Sequence, residues 1–421
     1  MPSCKQAAVS STRLDNAHRM AKYPTVKQGG SITTVILAVL VMLPMLTTDI
    51  YVVSLPELVA HFQVQRSTVV FTLASYMLGY AMSLLLAGVF SDQFGRRPVI
   101  LVGLSVCCLA SIGCTLSDTI YELILFRFVQ GLGIGCGTLL ARVVVRDMYD
   151  FKNQISVLSK LSAVLALSPT IGPSIGAFLS DVWGWKAPFY FCSGVALAGL
   201  VLSASTLSES LRPEDRAAFS LRRTVRLYGD LLTSPHFLSY SLIISFGWAV
   251  YFSFVASSPF VFRGVFELSQ FECAVLFGAI MILYSVGTQI ARRLSSRVSV
   301  VSLLCAASIA LFVACQLVLA LSARQGHLVT FAATVSLVLM SVGVIFPLTQ
   351  AEVVRPYKNQ VGAVSGLFYC IEMVFGAATG WLVGTYSDSP LEVLGLIFSV
   401  SSLAVLLISL ARFRKASVEF S

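Results

Sequence analysis

Twelve separate apolar runs of roughly 18–25 residues limit what this chain can fold into more than any other feature. Each is long enough, as helix, to cross about 30 Å of hydrocarbon. They cover about 31–55, 68–90, 98–116, 119–140, 157–180, 187–207, 236–258, 270–291, 298–321, 328–348, 360–384 and 391–413. Of the 421 residues, 57% are apolar and 12% charged. A soluble domain carries about 25% charged residues. No water-soluble core can hide this much apolar surface, so lipid is the solvent for most side chains. Only helices and closed barrels satisfy their own backbone there, and runs of this length are helical. Pro44, Pro169, Gly172, Pro173 and Pro347 lie inside the runs, which packed membrane bundles tolerate.

The longest polar interval, 208–235, holds Arg212, Glu214, Asp215, Arg216, Arg222, Arg223 and Arg226. It divides two six-helix halves of nearly equal length, 31–207 and 236–413. That division implies duplication and a pseudo-two-fold bundle. In the linker, Phe219, Leu221, Val225 and Leu227 interleave with arginines; an amphipathic surface helix and a flexible linker both fit. Residues 1–30 are polar, with Lys5, Arg13, Arg19, Lys22 and Lys27, and 414–421 form a second tail. The first run is too long for a signal peptide and precedes no small-residue cleavage site, so it is expected to be retained.

The net charge of +9 could point to nucleic acid, but its distribution argues for orientation in a membrane. With the N-terminus cytosolic, 24 of the 29 Lys and Arg fall in inner loops and tails. Four (Arg66, Lys186, Arg263, Arg324) fall outside, and Arg127 lies within a run. This asymmetry places both termini in the cytosol. Ten cysteines are present, nine of them in apolar runs, without CxxC or Cys/His metal spacing. They read as small apolar packing residues. With His only at 18, 61, 236 and 327, no metal or cofactor is expected. No phosphate-binding loop or catalytic constellation is present, so the chain reads as a carrier driven by gradients rather than an enzyme.

Asp49, Arg127 and Glu372 are the ionisable residues that stand deep inside runs, more than four residues from either end. Charges there are costly, and they line cavities, pair, or exchange protons. Asp49 lies seven residues before Pro56, near which the first helix is expected to end outside, and Arg127 eight from the outer end of the fourth run. At 1.5 Å per residue both are about 10–12 Å deep, which permits a contact between them. One reading is a proton-coupling pair; the other is a static ion pair. Glu372, near the middle of the eleventh run, could recognise a cationic substrate, serve as a second proton site, or form a structural hydrogen bond. Tyr51, Tyr76, Tyr80, Trp248, Tyr251, Phe254, Tyr284, Tyr369 and Phe375 are candidate cavity aromatics, with Tyr51, Tyr80 and Tyr369 preferred for their nearness to the two acids or to a helical partner.

Local motifs then point to a family. Gly88-Val89-Phe90-Ser91-Asp92-Gln93-Phe94-Gly95-Arg96-Arg97 joins runs two and three and resembles the signature loop of the major facilitator superfamily. Leu46-Thr47-Thr48-Asp49-Ile50-Tyr51, ending at Leu55-Pro56, resembles the first-helix motif of the Bcr/CflA group of drug:proton antiporters. Arg127-Phe128-Val129-Gln130-Gly131-Leu132-Gly133 is similar to the fourth-helix motif of proton-coupled members. Ala141-Arg142-Val143-Val144-Val145-Arg146-Asp147 is similar to the loop that follows it in the same group. Ser168-Pro169, Gly172-Pro173 and Gly176 resemble the fifth-helix motif of antiporters. The similarity spans about 31–413 and weakens in the second half, where Gly287 with Arg292, Arg293 and Arg297 is what remains of the matching loop.

The resemblance implies an all-α membrane protein of twelve helices in two bundles, in a bacterial inner membrane. It implies export of small amphipathic molecules (drugs, an endogenous metabolite or a siderophore) in exchange for protons, by a monomer. Proton-coupled nutrient uptake, and a sensor or scaffold without transport, are the alternatives. Asp49 and Arg127 are then expected to couple protons; Glu372, where the family more often carries an uncharged amide, departs from the pattern and is expected from its position to be a second proton-coupling or cavity residue, with Tyr51, Tyr80 and Tyr369 lining the cavity. Gly88, Asp92, Gly95, Arg96, Arg97 and Arg146 are expected to latch the outward-facing state, Asp92 by capping helix eleven near 360–362. Pro169, Gly172, Pro173 and Gly176 are expected to form a hinge. The expected partners are substrate, protons and lipid, with no nucleic acid.

Overall fold

A computed structural model describes residues 30–216, 221–322, 327–357, 361–386 and 390–419. The N-terminal tail with Cys4 and His18, together with Phe219 and Arg324, lies outside the described residues. The helices are α1 (Ser31–Val52), α2 (Leu55–Phe62), α3 (Arg66–Phe94), α4 (Arg96–Thr115), α5 (Ile120–Met148), α6 (Phe151–Trp183) and α7 (Ala187–Thr206). They continue with α8 (Leu221–Thr233), α9 (Pro235–Gly264), α10 (Gln270–Leu294), α11 (Val300–Ser322), α12 (Leu328–Val354), α13 (Val361–Thr385) and α14 (Pro390–Glu419). All but α2 and α8 are long and apolar enough to cross a membrane, giving twelve candidate spans. The described residues contain no strand.

Local chemistry sets several boundaries. Thr119 and Glu122 form a capping box at the start of α5, as Ser269 and Glu272 do for α10; each satisfies amide donors that the helix leaves free. The first apolar run does not stay in one helix to Leu55. It breaks after Val52 and restarts with Pro56 in the first turn of α2, where a proline costs no hydrogen bond. The turn between α3 and α4 needs Gly95, whose φ is 103°, a region unfavourable to side chains. The described linker is the amphipathic helix α8, with Val225 exposed and the Tyr228 hydroxyl donating to the Leu85 carbonyl at 3.5 Å.

α1 packs on α5, α6 and α7, and α10 on α12. The early and late helices meet through α3 with α13 and through α6 with α10. We call the end of the bundle where α1 begins proximal and the other end distal. The distal end is closed. Val52 and Val53, with Ser258, Pro259 and Phe262 of α9 and Cys273 and Phe277 of α10, line a cavity of only ≈ 10 Å³. Arg66 lies over the Phe260 ring at 5.5 Å. At the proximal end a cleft of ≈ 450 Å³ opens beside Ser31, Thr34, Tyr149, Asn153 and Lys160.

Candidate functional site

Asp49 sits in the last turn of α1, 2% exposed, where α1 meets α6. The Ser168 hydroxyl of α6 donates to its Oδ2 at 2.9 Å. α6 approaches this closely because two glycines face α1. A Cβ on Gly172 would stand 2.7 Å from the Asp49 Cβ, and one on Gly176 would stand 2.8 Å from the Ile50 carbonyl carbon. Ser168, Gly172 and Gly176 thus belong to a close contact with α1, and Pro169 and Pro173 lie within the same continuous helix. Across the early/late boundary, Tyr251 of α9 lies within electrostatic reach of Asp49.

Arg127 does not join Asp49, contrary to the contact that equal depth permits. Its guanidinium is fully buried between the Tyr51 and Tyr76 rings, at 4.5 and 4.3 Å from their centroids, with Phe189 at 5.9 Å. Nη1 donates to Gln130 Oε1 at 2.6 Å and to the Thr47 carbonyl at 3.4 Å. Depth sets how far into the membrane two residues lie; helix rotation decides whether they face each other. Here Asp49 turns to α6 while Arg127 turns to an aromatic box. Tyr51 walls that box, its hydroxyl bonded to Thr72 at 2.6 Å, so it is enclosed among α1, α3 and α7 rather than free to line a cavity. Phe254 is likewise enclosed, stacked on Phe277 at 5.4 Å.

Glu372 of α13 is 3% exposed, and its Oε2 lacks a hydrogen-bond partner. Arg142 of α5, Tyr80 of α3 and Tyr284 of α10 lie within its electrostatic reach. Arg142 donates a short hydrogen bond to the Tyr369 hydroxyl and stands 5.3 Å from that ring's centroid. Tyr80 pairs its hydroxyl with Thr138 at 2.9 Å. Beyond Glu372 lies an aromatic wall. Trp248 stacks on Tyr251 at 5.0 Å, Tyr251 meets Tyr284 at 5.6 Å, and Phe346 packs on Trp248 at 6.0 Å. Arg142 was counted with an inner loop from sequence; it is in fact on a membrane helix and half-buried. Phe346 is a further part of this wall that sequence alone does not single out.

The α3–α4 turn forms a polar knot. Arg96 bonds Asp92, reaches Asp147 at 3.3 Å and donates to Ser91 at 2.8 Å. Glu209, past α7, accepts from the Arg96 and Arg97 amides at 2.8 and 3.2 Å. Its carboxyl carbon would lie 2.8 Å from a Cβ on Gly95. Arg97 donates to the Ala204 carbonyl at 2.6 Å. Asp92 pairs with Arg96 within the turn; the expected capping position at the start of the eleventh span, α13, falls on residues 358–360, which lie outside the described residues. Gly88 packs toward Leu139 at Cβ distance 3.9 Å, and Arg146 is exposed.

Twelve membrane-length helices, sequential halves that meet through α3–α13 and α6–α10, and buried charges at that meeting define a membrane carrier. The chain belongs to the Major Facilitator Superfamily, whose sequence pattern matches residues 37–381, and it is a transporter of small molecules rather than an enzyme. It is 28% identical over 371 residues to the multidrug resistance protein MdtL of Shewanella oneidensis, covering 86% of this chain and 91% of that one. It is 26% identical over 365 residues to the uncharacterised MFS-type transporter YdgK of Bacillus subtilis, with the same coverage. Among solved structures it resembles a D-xylose-proton symporter, with TM-score 0.72 and 14% identity over 89% of this chain and 97% of that one. It also resembles the human organic anion transporter MFSD10, with TM-score 0.69 and 18% identity over 90% and 98%. Both likenesses are of fold.

Proposed function

We propose that the chain exports small amphipathic molecules in exchange for protons, with Asp49 as the carboxyl that carries the proton. One observation bears most of the weight: Asp49 is buried in a membrane helix, holds a neutral hydroxyl, and has no cation within 4.0 Å among the described ion pairs. A lone carboxylate in that setting costs several kcal/mol, about 2.5 or more, so the acid is at ease protonated and ionises when the protein opens it to water. Arg127, bonded to Thr47 two residues from Asp49, acts through the α1 backbone rather than by pairing.

The Bcr/CflA resemblance and the printed name of the MdtL relative support export of drug-like cargo. In this reading the bundles 31–207 and 236–413 rock about the central site in a bacterial inner membrane, as a monomer. Both termini are cytosolic, so the proximal end faces the cytosol. The α3–α4 turn, with Asp92 set against the start of α13, serves as the latch of the outward-facing state, and the α6 segment with Pro169, Gly172, Pro173 and Gly176 as the hinge. Glu372, Tyr80 and Tyr369 touch the cargo.

The test is proton movement in everted vesicles with an acidic interior, comparing wild type and Asp49→Asn. Addition of a transported compound should release protons from wild-type vesicles, and the variant, inserted at equal level, should release none. Substrate-linked proton entry instead of release would make this an uptake carrier. Full coupled transport by Asp49→Asn would remove the assignment.

A further inference from the structure

We propose that Arg142 and Glu372 hold the two ends of a dipolar substrate, one that carries an anionic and a cationic group some distance apart. The proposal rests on the transporter reading above and names its cargo class.

Arg142 comes from α5 and Glu372 from α13, so the two charges come from opposite halves of the sequence. They are within electrostatic reach, yet they form none of the ion pairs among the described residues. Arg142 spends one donor on the neutral Tyr369 hydroxyl. A guanidinium has five N–H donors in a planar fork that suits carboxylate or phosphate. Glu372 leaves Oε2 without a partner while only 3% exposed. Tyr369 and Glu372 are three residues apart, hence on one face of α13. Trp248 Nε1 also lacks a partner, and it packs on Gly376, one turn beyond Glu372.

Buried polar groups without partners are costly; among the described residues Glu372 Oε2 and Trp248 Nε1 are two such atoms, and half-buried Arg142 has donors beyond the one given to Tyr369, so the acid and the guanidinium each keep unused capacity. A ligand placed between them completes both. Its ammonium end would meet Glu372 and the Trp248–Tyr251–Tyr284 wall, a surface suited to organic cations. Its anionic end would meet the free edge of Arg142. A cation alone leaves Arg142 unanswered and is repelled by it, and an anion alone meets Glu372 in the same way; specificity of this kind comes from repulsion as much as attraction. A bridging ligand also ties α5 to α13.

The probe is one aromatic dipeptide, phenylalanyl-alanine, in four forms: free (dipolar), C-terminal amide (cationic), N-acetyl (anionic) and doubly capped (neutral). Binding is measured by calorimetry in lipid nanodiscs without any gradient, for wild type, Arg142→Gln, Arg142→Lys and Glu372→Gln. Each variant is first checked for a wild-type melting profile. We expect wild type to bind the free form at least tenfold more tightly than any capped form. Arg142→Gln should weaken the free and acetyl forms at least tenfold and leave the amide unchanged or tighter. Glu372→Gln should weaken the free and amide forms and spare the acetyl form. Arg142→Lys should retain the dipolar preference.

Equal binding of the four forms, binding of none, or a uniform loss in Arg142→Gln that includes the neutral form would overturn the proposal and leave Arg142–Tyr369 as a contact between helices. Because no proton gradient is applied, failure here is separate from failure of the proton-coupling reading, which the vesicle experiment addresses.

Discussion

At the residue scale, Arg127 is the most constrained side chain. It is a fully buried cation with no carboxylate among the described ion pairs, held by two tyrosine faces, one glutamine and one carbonyl. Nε and Nη2 have no hydrogen-bond partner among the described residues. Two cation–π contacts in a dry site contribute about 2 kcal/mol each, which offsets only part of the cost of burying the charge. Replacing a buried charge by a well-packed apolar residue is often neutral or stabilising by about 1–4 kcal/mol. Arg127→Met is therefore expected to melt at or above the wild-type temperature in detergent while losing proton-coupled transport. A stable variant with intact transport would make Arg127 a structural ion only. The sequence exposed Arg127 and Asp49 at once, because a charge in an apolar run is visible without a structure. It could not show that they face apart, since that depends on helix rotation. Arg142 was hidden for the opposite reason: near a helix end it looks like one more inner-loop charge.

At the element scale, the twelve spans were legible because about 20 apolar residues in sequence have one solution in lipid. Their ends were not. α3 begins at Arg66, and α5 and α6 run on to Met148 and from Phe151, since polar residues continue a helix beyond the hydrocarbon where hydropathy falls silent. The break between α1 and α2 lay inside one apolar run and left only Pro56 as a trace. Glu209, which ties the α3–α4 turn to the end of α7, looked like an ordinary linker charge. The α1–α6 contact gives a sharp prediction. Gly176→Ala puts a Cβ against the Ile50 carbonyl and should cost about 1–3 kcal/mol, the range for overpacking. Gly194→Ala, with nothing within 4 Å, is the control; alanine there should be neutral or gain up to about 1 kcal/mol from helix propensity. Thermal unfolding of the two variants side by side checks this. Equal melting temperatures would mean that α6 can move off α1 at no cost.

For the whole molecule, the closed distal end is the feature that transport must undo. Val52 and Val53 line one small cavity with Phe262 and Phe277 across the early/late boundary, and half-buried Glu57 on α2 lies within electrostatic reach of Arg263. Burial raises the Glu57 carboxyl above its ordinary range, and Arg263 only partly opposes this. In an open, hydrated distal end that shift would vanish. Closure is therefore fully favoured below the usual carboxylate range and weakens as pH rises through the Glu57 titration. A cysteine pair at Val53→Cys and Phe262→Cys reports the state. Oxidation should join the two where the distal end is closed, stop transport, and be reversed by reduction; the nine described native cysteines are buried and compete little. Glu57→Gln, neutral at every pH, should raise the oxidised fraction at pH 8 relative to the same pair with Glu57 intact, and leave it unchanged at pH 5. Undiminished transport in the oxidised pair would mean the distal end need not open at this contact. Equal cross-linking with and without Glu57 at both pH values would remove that carboxyl from control of closure and leave the apolar contact alone to hold it.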